Sequence, residues 1–310
     1  MRRELVPDEV IDRCRSVRWF AAPDVSSPLK GRLFLFYQDV QVRVVPYGGR
    51  TYERSAFHVR SEPGTRAAAD RVVSAVAPCT DTPGGDLQAD VCDFVSNETV
   101  RLLLYGRVVH EVVTSETGQR YFFPLPNGRL FFLGKRVGQI VPPNPFEKSP
   151  RRIVWLDRRD LWVVKLPAEL GGIGLAWLRH VLRTANSIPP AWSLPSIEQP
   201  TNPFDLMEFV YKSDVAVARA VRHWGWPVPN PAQRQMTNYH HLREHLRFSI
   251  TMARIREHLV AELNRQLAKP DDPVTVAIEG LPNSADLKTM FTRFMNGEVS
   301  FSEAIGLTNW

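Results

Sequence analysis

The chain has 310 residues, 44% of them apolar, which is enough to bury a substantial hydrophobic core in one large domain or two ordinary ones. Lys and Arg total 39 against 33 Asp and Glu, so the net charge is only +6, and the arginines are spread from Arg2 to Arg293. This balance permits contact with phosphate groups but does not indicate the concentrated basic face of a dedicated duplex-binding protein.

Cysteine usage and hydropathy indicate the compartment. Cys14, Cys79 and Cys92 form no CxxC pair and are odd in number, which predicts neither a disulfide framework nor a zinc knuckle. The amino terminus is charged where a signal peptide needs an apolar stretch, and no window approaches the roughly 18 to 20 apolar residues of a membrane span. We therefore expect a protein made in a reducing cytosol, neither secreted nor membrane-inserted.

The amino-terminal third is predicted to mix helices and strands. A short helix is expected at 7–17, followed by strands at 32–37 and 40–45, the second of which alternates as a half-buried strand does. Small and apolar residues at helical spacing then predict helices over 62–76 and about 87–104.

Strands dominate the next segment. Short turn-forming sequences predict an antiparallel meander, whose strands are 107–114, 119–124, 129–133 and 137–141. A proline-rich joint at 141–150 precedes two more strands, 152–156 and 161–166, which we expect to form a small outlying hairpin.

Beyond Pro167 the pattern becomes helical. Helices are predicted at 175–185, 204–224, 233–267, 284–295 and 302–305, with one strand at 274–278. The longest of them carries an apolar stripe at three- and four-residue steps, made of Phe248, Met252, Ile255, Leu259, Leu263 and Leu267. The predicted fold class is therefore α+β.

Patterns typical of catalysis are incomplete. His241 and His245 stand four apart on a predicted helix, but no glutamate follows the first of them, so the metalloprotease arrangement is missing. Asp271 and Glu279 lack the lysine of a nuclease strand, and 171–174 lacks the Lys-Ser/Thr of a phosphate loop. No GxSxG motif occurs. We expect no cofactor, no metal and no enzymatic activity.

Tryptophans concentrate between residues 155 and 226, interleaved with arginines. The tryptophans are Trp155, Trp162, Trp177, Trp192, Trp224 and Trp226, and the arginines are Arg151, Arg152, Arg158, Arg159, Arg179 and Arg183. Three interpretations stay open: a protein interface, where both residue types are enriched, core packing, or stacking on single-stranded nucleic acid.

Three segments together resemble the portal proteins of tailed bacteriophages, including the Mu-like type. In the first, a helix ending in Tyr-Gly leads into the strand from Gly106 to Glu111 and Val112. In the second, a helical segment ends at Trp224-Gly225-Trp226. In the third, a long helix, a strand and a helix lead through 297–300 into a last helix. The chain would be a minimal or divergent portal, because 310 residues is short for that family.

The resemblance implies a domain plan. Residues 1–145 would form a wing of helices and β meander, and 146–170 a clip-like β hairpin. Residues 171–232 would form the stem and tunnel segment, and 233–310 the crown-side helices. The clip-like interface set would be Arg151, Arg152, Trp155, Arg158, Arg159 and Trp162. The channel candidates would be Arg179, Arg183 and Trp192.

The resemblance also implies partners and location. The chain would form a homo-oligomeric ring, a dodecamer, at a capsid vertex of the virion, assembled in the bacterial host's cytoplasm. Its partners would be the terminase, capsid and neck or tail proteins, and double-stranded DNA passing through the channel with weak, sequence-independent contacts. Two other classes stay open: a nucleic-acid-processing enzyme or accessory factor such as a nuclease, and a monomeric protein-binding module.

Overall fold

A computed structural model describes most of the chain outside the 172–223 region. The described residues are 5–17, 27–46, 57–80, 85–126, 129–141, 150–171, 224–226, 238–268 and 273–306. The helix predicted at 175–185, most of the one at 204–224, and the channel candidates Arg179, Arg183 and Trp192 lie outside them.

Helices and antiparallel sheets make up the described part, which confirms the α+β class. The α-helices are α1 (Asp8–Arg13), α2 (Ser27–Val44), α3 (Arg66–Val76), α4 (Leu87–Tyr105), α5 (Asn238–Leu267), α6 (Ser284–Met295) and α7 (Phe301–Gly306). The strands are β1 (His58–Glu62), β2 (Arg107–Thr114), β3 (Arg120–Pro124), β4 (Leu130–Leu133), β5 (Arg136–Val141), β6 (Arg152–Asp157), β7 (Leu161–Lys165) and β8 (Thr275–Glu279). None of these helices is long and apolar enough to cross a membrane.

The prediction of two strands at 32–37 and 40–45 was wrong, because helix α2 covers most of this segment. In a strand, Val40, Val42 and Val44 would share one face. The structure buries Val40 and Val44 but leaves Val42 45% exposed, as the four-residue spacing of a helix requires. Phe36 continues the buried stripe and packs against Trp224 and Trp226, with ring centroids 5.9 and 5.1 Å away.

The predicted strand pairing was also wrong, both for the four-stranded meander at 107–141 and for the hairpin at 152–166. Strands β2 and β3 form one hairpin and β4 and β5 another, but they belong to separate three-stranded sheets, ordered β3-β2-β7 and β4-β5-β6. Strands β6 and β7 do not pair with each other. The 3-10 helix Arg158–Asp160 carries the chain from one sheet to the other. A short connection permits a hairpin, but separate pairing with β5 and β2 buries both Leu156 and Trp162.

Sheet β3-β2-β7 lies at the centre of the described structure. One face, which includes Val108, Phe122 and Val164, joins the main core formed with α2, α3, α4 and α5. The opposite face divides, with Phe123 packing against α1 and Val109 against the sheet β4-β5-β6. Strand β2 is therefore buried on both sides, which explains why its sequence, RVVHEVVT, is apolar on both faces.

The long helix α5 confirms the predicted stripe, because Phe248, Met252, Ile255, Leu259, Leu263 and Leu267 are all buried. The Trp224-Gly225-Trp226 step lies directly against it. A Cβ added to Gly225 would lie 2.5 Å from the Arg247 Cβ, and its φ of +79° also favours glycine. The glycine allows the chain to approach the helix closely, so both neighbouring tryptophans can enter the core.

Candidate functional site

Among the described residues, sheet β4-β5-β6 has one face covered by the rest of the fold and one face without such cover. Directly opposed residues of antiparallel strands share a face. Gly138 of β5 lies opposite both Phe131 of β4 and Trp155 of β6, and Ile140 lies opposite Ile153. We call Phe131, Leu133, Ile140, Ile153 and Trp155 the outer face.

The covered face anchors this sheet to the rest of the fold. Leu156 is buried with Val109 and Leu125, and Val154 packs against the same cluster. Gln139 receives a hydrogen bond from the Val17 backbone N–H at 2.9 Å and donates one to the Val17 carbonyl at 2.8 Å. Among the residues that the structure describes, the sheet is therefore anchored through this one face, and the outer face keeps large exposed side chains.

The outer face exposes large apolar side chains. Leu133 is 65% exposed, Ile153 49% and Trp155 41%. The Phe131 ring covers Gly138 so closely that a Cβ there would collide with it, and it meets the Trp155 ring edge-on with centroids 5.3 Å apart. This contact orients Trp155 while leaving much of its ring accessible to a partner.

Four arginines lie at or next to the two ends of β6. Arg151, Arg152, Arg158 and Arg159 are all exposed. Arg159 pairs with Asp157, whose carboxylate lies 3.0 Å from its guanidinium, and hydrogen bonds from Arg159 lower the pKa of Asp157. Five of the six predicted interface residues therefore lie on β6 or directly beside its ends.

Trp162 is the exception, and its predicted interface role is wrong. Its side chain is 3% exposed, and its ring stacks on His110 with centroids 4.9 Å apart and packs against Phe122 and Phe94. Trp224 and Trp226 are also buried. Core packing is therefore the correct interpretation for these three tryptophans.

A buried polar cluster was missed by the sequence analysis. Cys79 ends the 3-10 helix after α3, Glu98 belongs to α4 and His110 to β2, and their potential ligand atoms all lie within 4.8 Å of one another. Gly106, in a left-handed conformation with φ +70°, ends α4 immediately before β2 and so turns the strand back against the helix. The three residues occur in no recognisable motif spacing, so only the fold brings them together.

Electrostatics at this cluster favour an ionised glutamate. Burial by itself raises the pKa of Glu98. The charges and hydrogen bonds of Arg101 and His110 lower it by more, so the net shift of this pKa is downward. The Arg101 guanidinium donates to Glu98 Oε1 at 2.8 Å, and His110 Nε2 lies 3.3 Å from the same oxygen.

His241 and His245, the histidine pair considered in the sequence, do not form a comparable cluster in the described structure. His241 is exposed, whereas the ring of the partly buried His245 lies 3.5 Å from the Arg43 guanidinium. Across the described part of the chain, only Cys79, Glu98 and His110 bring three potential metal ligands together.

Comparison with known proteins gives distant structural likeness and no match in sequence. No family model matches the chain, and no curated protein matches it in sequence. A crystal structure of an HK97-family phage portal protein from Corynebacterium diphtheriae aligns with 86% of this chain and 98% of its own, at 12% identity and a TM-score of 0.35. A TM-score this low does not establish a shared fold.

Proposed function

We propose that the chain is a structural subunit of a portal-type ring, which forms a DNA channel at a phage capsid vertex. The exposed outer face, with the arginines at the ends of β6, is the observation that carries the proposal. Large contiguous exposed apolar patches are uncommon on monomeric proteins and are typical of interaction sites. The sequence segments that resemble portal proteins supply the class of assembly.

A ring requires two different contact surfaces on each subunit, because its interfaces are head-to-tail. The outer face supplies one. A second patch, formed by Tyr239, Met295 and Phe301, is exposed where α5, α6 and α7 meet. In the proposed ring the outer face of one copy packs against this second patch of the next.

The remaining functional assignments are what the resemblance to portal proteins implies. The arginines at 151, 152, 158 and 159 would meet the terminase during packaging and a neck or tail protein afterwards, as the clip-like segment 146–170. The segment 171–232, with Arg179, Arg183 and Trp192, would line the channel. The chain would be a non-enzymatic virion component, assembled in the bacterial cytoplasm and in contact with capsid proteins.

Native mass measurement tests the ring directly. We expect a single large multiple of 35.3 kDa, and a closed ring in negative-stain images. Ile153→Lys should break the ring because it places a charge in the apolar contact, whereas Val42→Lys, at a similarly exposed valine on α2, should leave it intact. A 35.3 kDa monomer at every salt and protein concentration would refute the ring and favour a monomeric binding module.

A further inference from the structure

Three side chains that bind metals in proteins converge in the core between α4 and the central sheet. Cys79 Sγ, a Glu98 carboxylate oxygen and a His110 ring nitrogen lie within 4.8 Å of one another. Zinc bonds of about 2.0 to 2.3 Å place tetrahedral ligand atoms roughly 3.5 Å apart, so side-chain shifts of about an ångström would bring these atoms to three tetrahedral positions, and a water molecule would take the fourth.

Polar atoms of this cluster lack hydrogen-bond partners within the described structure. Glu98 and His110 are fully buried, and neither ring nitrogen of His110 has a partner, nor does Glu98 Oε2. His110 Nε2 approaches Glu98 Oε1 at 3.3 Å, so the atoms left with neither a hydrogen bond nor an ion-pair contact are His110 Nδ1 and Glu98 Oε2. Buried polar groups without partners are costly and rare, so these atoms point to a bound ligand.

We infer that Cys79, Glu98 and His110 form a zinc-binding site. A thiolate and a carboxylate together neutralise one Zn²⁺ while the imidazole binds as a neutral ligand, and the remaining positive charge belongs to Arg101, whose side chain is 35% exposed to solvent. On binding, the Cys79 thiol loses its proton to solvent and exchanges its 3.1 Å hydrogen bond to the Phe122 carbonyl for a bond to the metal.

Neighbouring residues suit such a site. Arg101 donates to Glu98 Oε1, which fixes the carboxylate and leaves Oε2 available for the metal. The aromatic rings of Phe94 and Trp162 pack against His110, and Phe122 packs against Trp162, which limits the imidazole's rotation. The zinc would tie the end of the α3 segment, α4 and β2 together. The zinc site does not depend on ring formation, because all three ligands belong to one chain.

Metal content and spectroscopy of the full chain test the site. Protein expressed with added zinc should retain about one zinc per chain after gel filtration. After chelation, Co²⁺ should give the d–d bands of a tetrahedral site and a thiolate-to-cobalt charge-transfer band. At zinc about 100-fold above its dissociation constant, the unfolding midpoint should rise by roughly 5 °C over the chelated protein.

Variants locate the site. Cys79→Ser should abolish the charge-transfer band, and His110→Asn should lower zinc affinity at least tenfold. Cys92→Ser should change neither, because Cys92 is equally buried in α4 but outside the cluster. Wild-type protein that retains no zinc, shows no thiolate-to-cobalt band and melts at the same temperature with and without zinc would overturn the inference, whether or not the variants fold. A band that persists in Cys79→Ser would overturn it equally.

Discussion

Replacing Trp162 and Trp155 separately by alanine distinguishes a core tryptophan from an interface tryptophan. Their exposed fractions are 3% and 41%, a difference of 38% of a side chain that can bury up to about 250 Å². The extra buried area of Trp162 is therefore roughly 90 Å², worth about 2 kcal/mol at about 25 cal/mol per Å². The cavity left among Phe94, His110 and Phe122 adds to that cost, so Trp162→Ala should lose about 3 to 5 kcal/mol of unfolding free energy.

Urea unfolding at low protein concentration measures this difference in the dissociated chain. Trp155→Ala should be less destabilised than Trp162→Ala by at least about 2 kcal/mol, with unchanged m-values. Its larger effect should appear in assembly, where loss of an interface anchor costs about 2 kcal/mol or more, roughly a 30-fold weaker dissociation constant. Equal destabilisation by the two substitutions, with assembly unaffected in Trp155→Ala, would refute the assignment of Trp155 to an interface.

Helix α2 predicts that Val40→Lys unfolds the chain while Val42→Lys stays within about 0.5 kcal/mol of wild type, as measured by thermal melting followed by circular dichroism. If both were tolerated, the helical stripe would be wrong. Gly138→Ala should cost about 1 to 3 kcal/mol through its collision with the Phe131 ring, and less in a Phe131→Ala background; an additive double-mutant cycle would contradict that contact. Duplex DNA should bind weakly and without sequence preference, with affinity nearly lost at about 150 mM salt, whereas tight selective binding in an anisotropy titration would contradict the channel.

Local patterns predicted most helices and strands, because each depends on residues close in sequence. The apolar stripe of α5 and the helix α6 follow from three- and four-residue spacing, and α4 ends at Gly106 as expected. The strand prediction for 40–45 failed because its valines recur at every second position, which is typical of a strand. Two of them, Val40 and Val44, are also four residues apart, which is typical of a buried helix face. Burial of Phe36 against Trp224 and Trp226, far along the chain, decides between the two.

Strand pairing depends on contacts between distant segments, and this is where local patterns failed. Nothing in β6 and β7 by themselves excludes a hairpin, since three residues separate them. Strand β2 is buried on both faces and accepts β7 at one edge, and this buries Trp162 against His110. Two tryptophans with similar sequence surroundings therefore end in opposite environments, one in the core and one on the outer face.

The buried cluster shows the same limit for a functional site. Cys79, Glu98 and His110 belong to three different elements. In the sequence each has a common explanation: a buried cysteine, a glutamate on a helix and a histidine on a strand. Only the turn at Gly106 and the packing of α3 beside α4 bring them within 4.8 Å. Burial leaves atoms of the imidazole and the carboxylate without hydrogen bonds, and a bound zinc ion would give these buried polar atoms a partner.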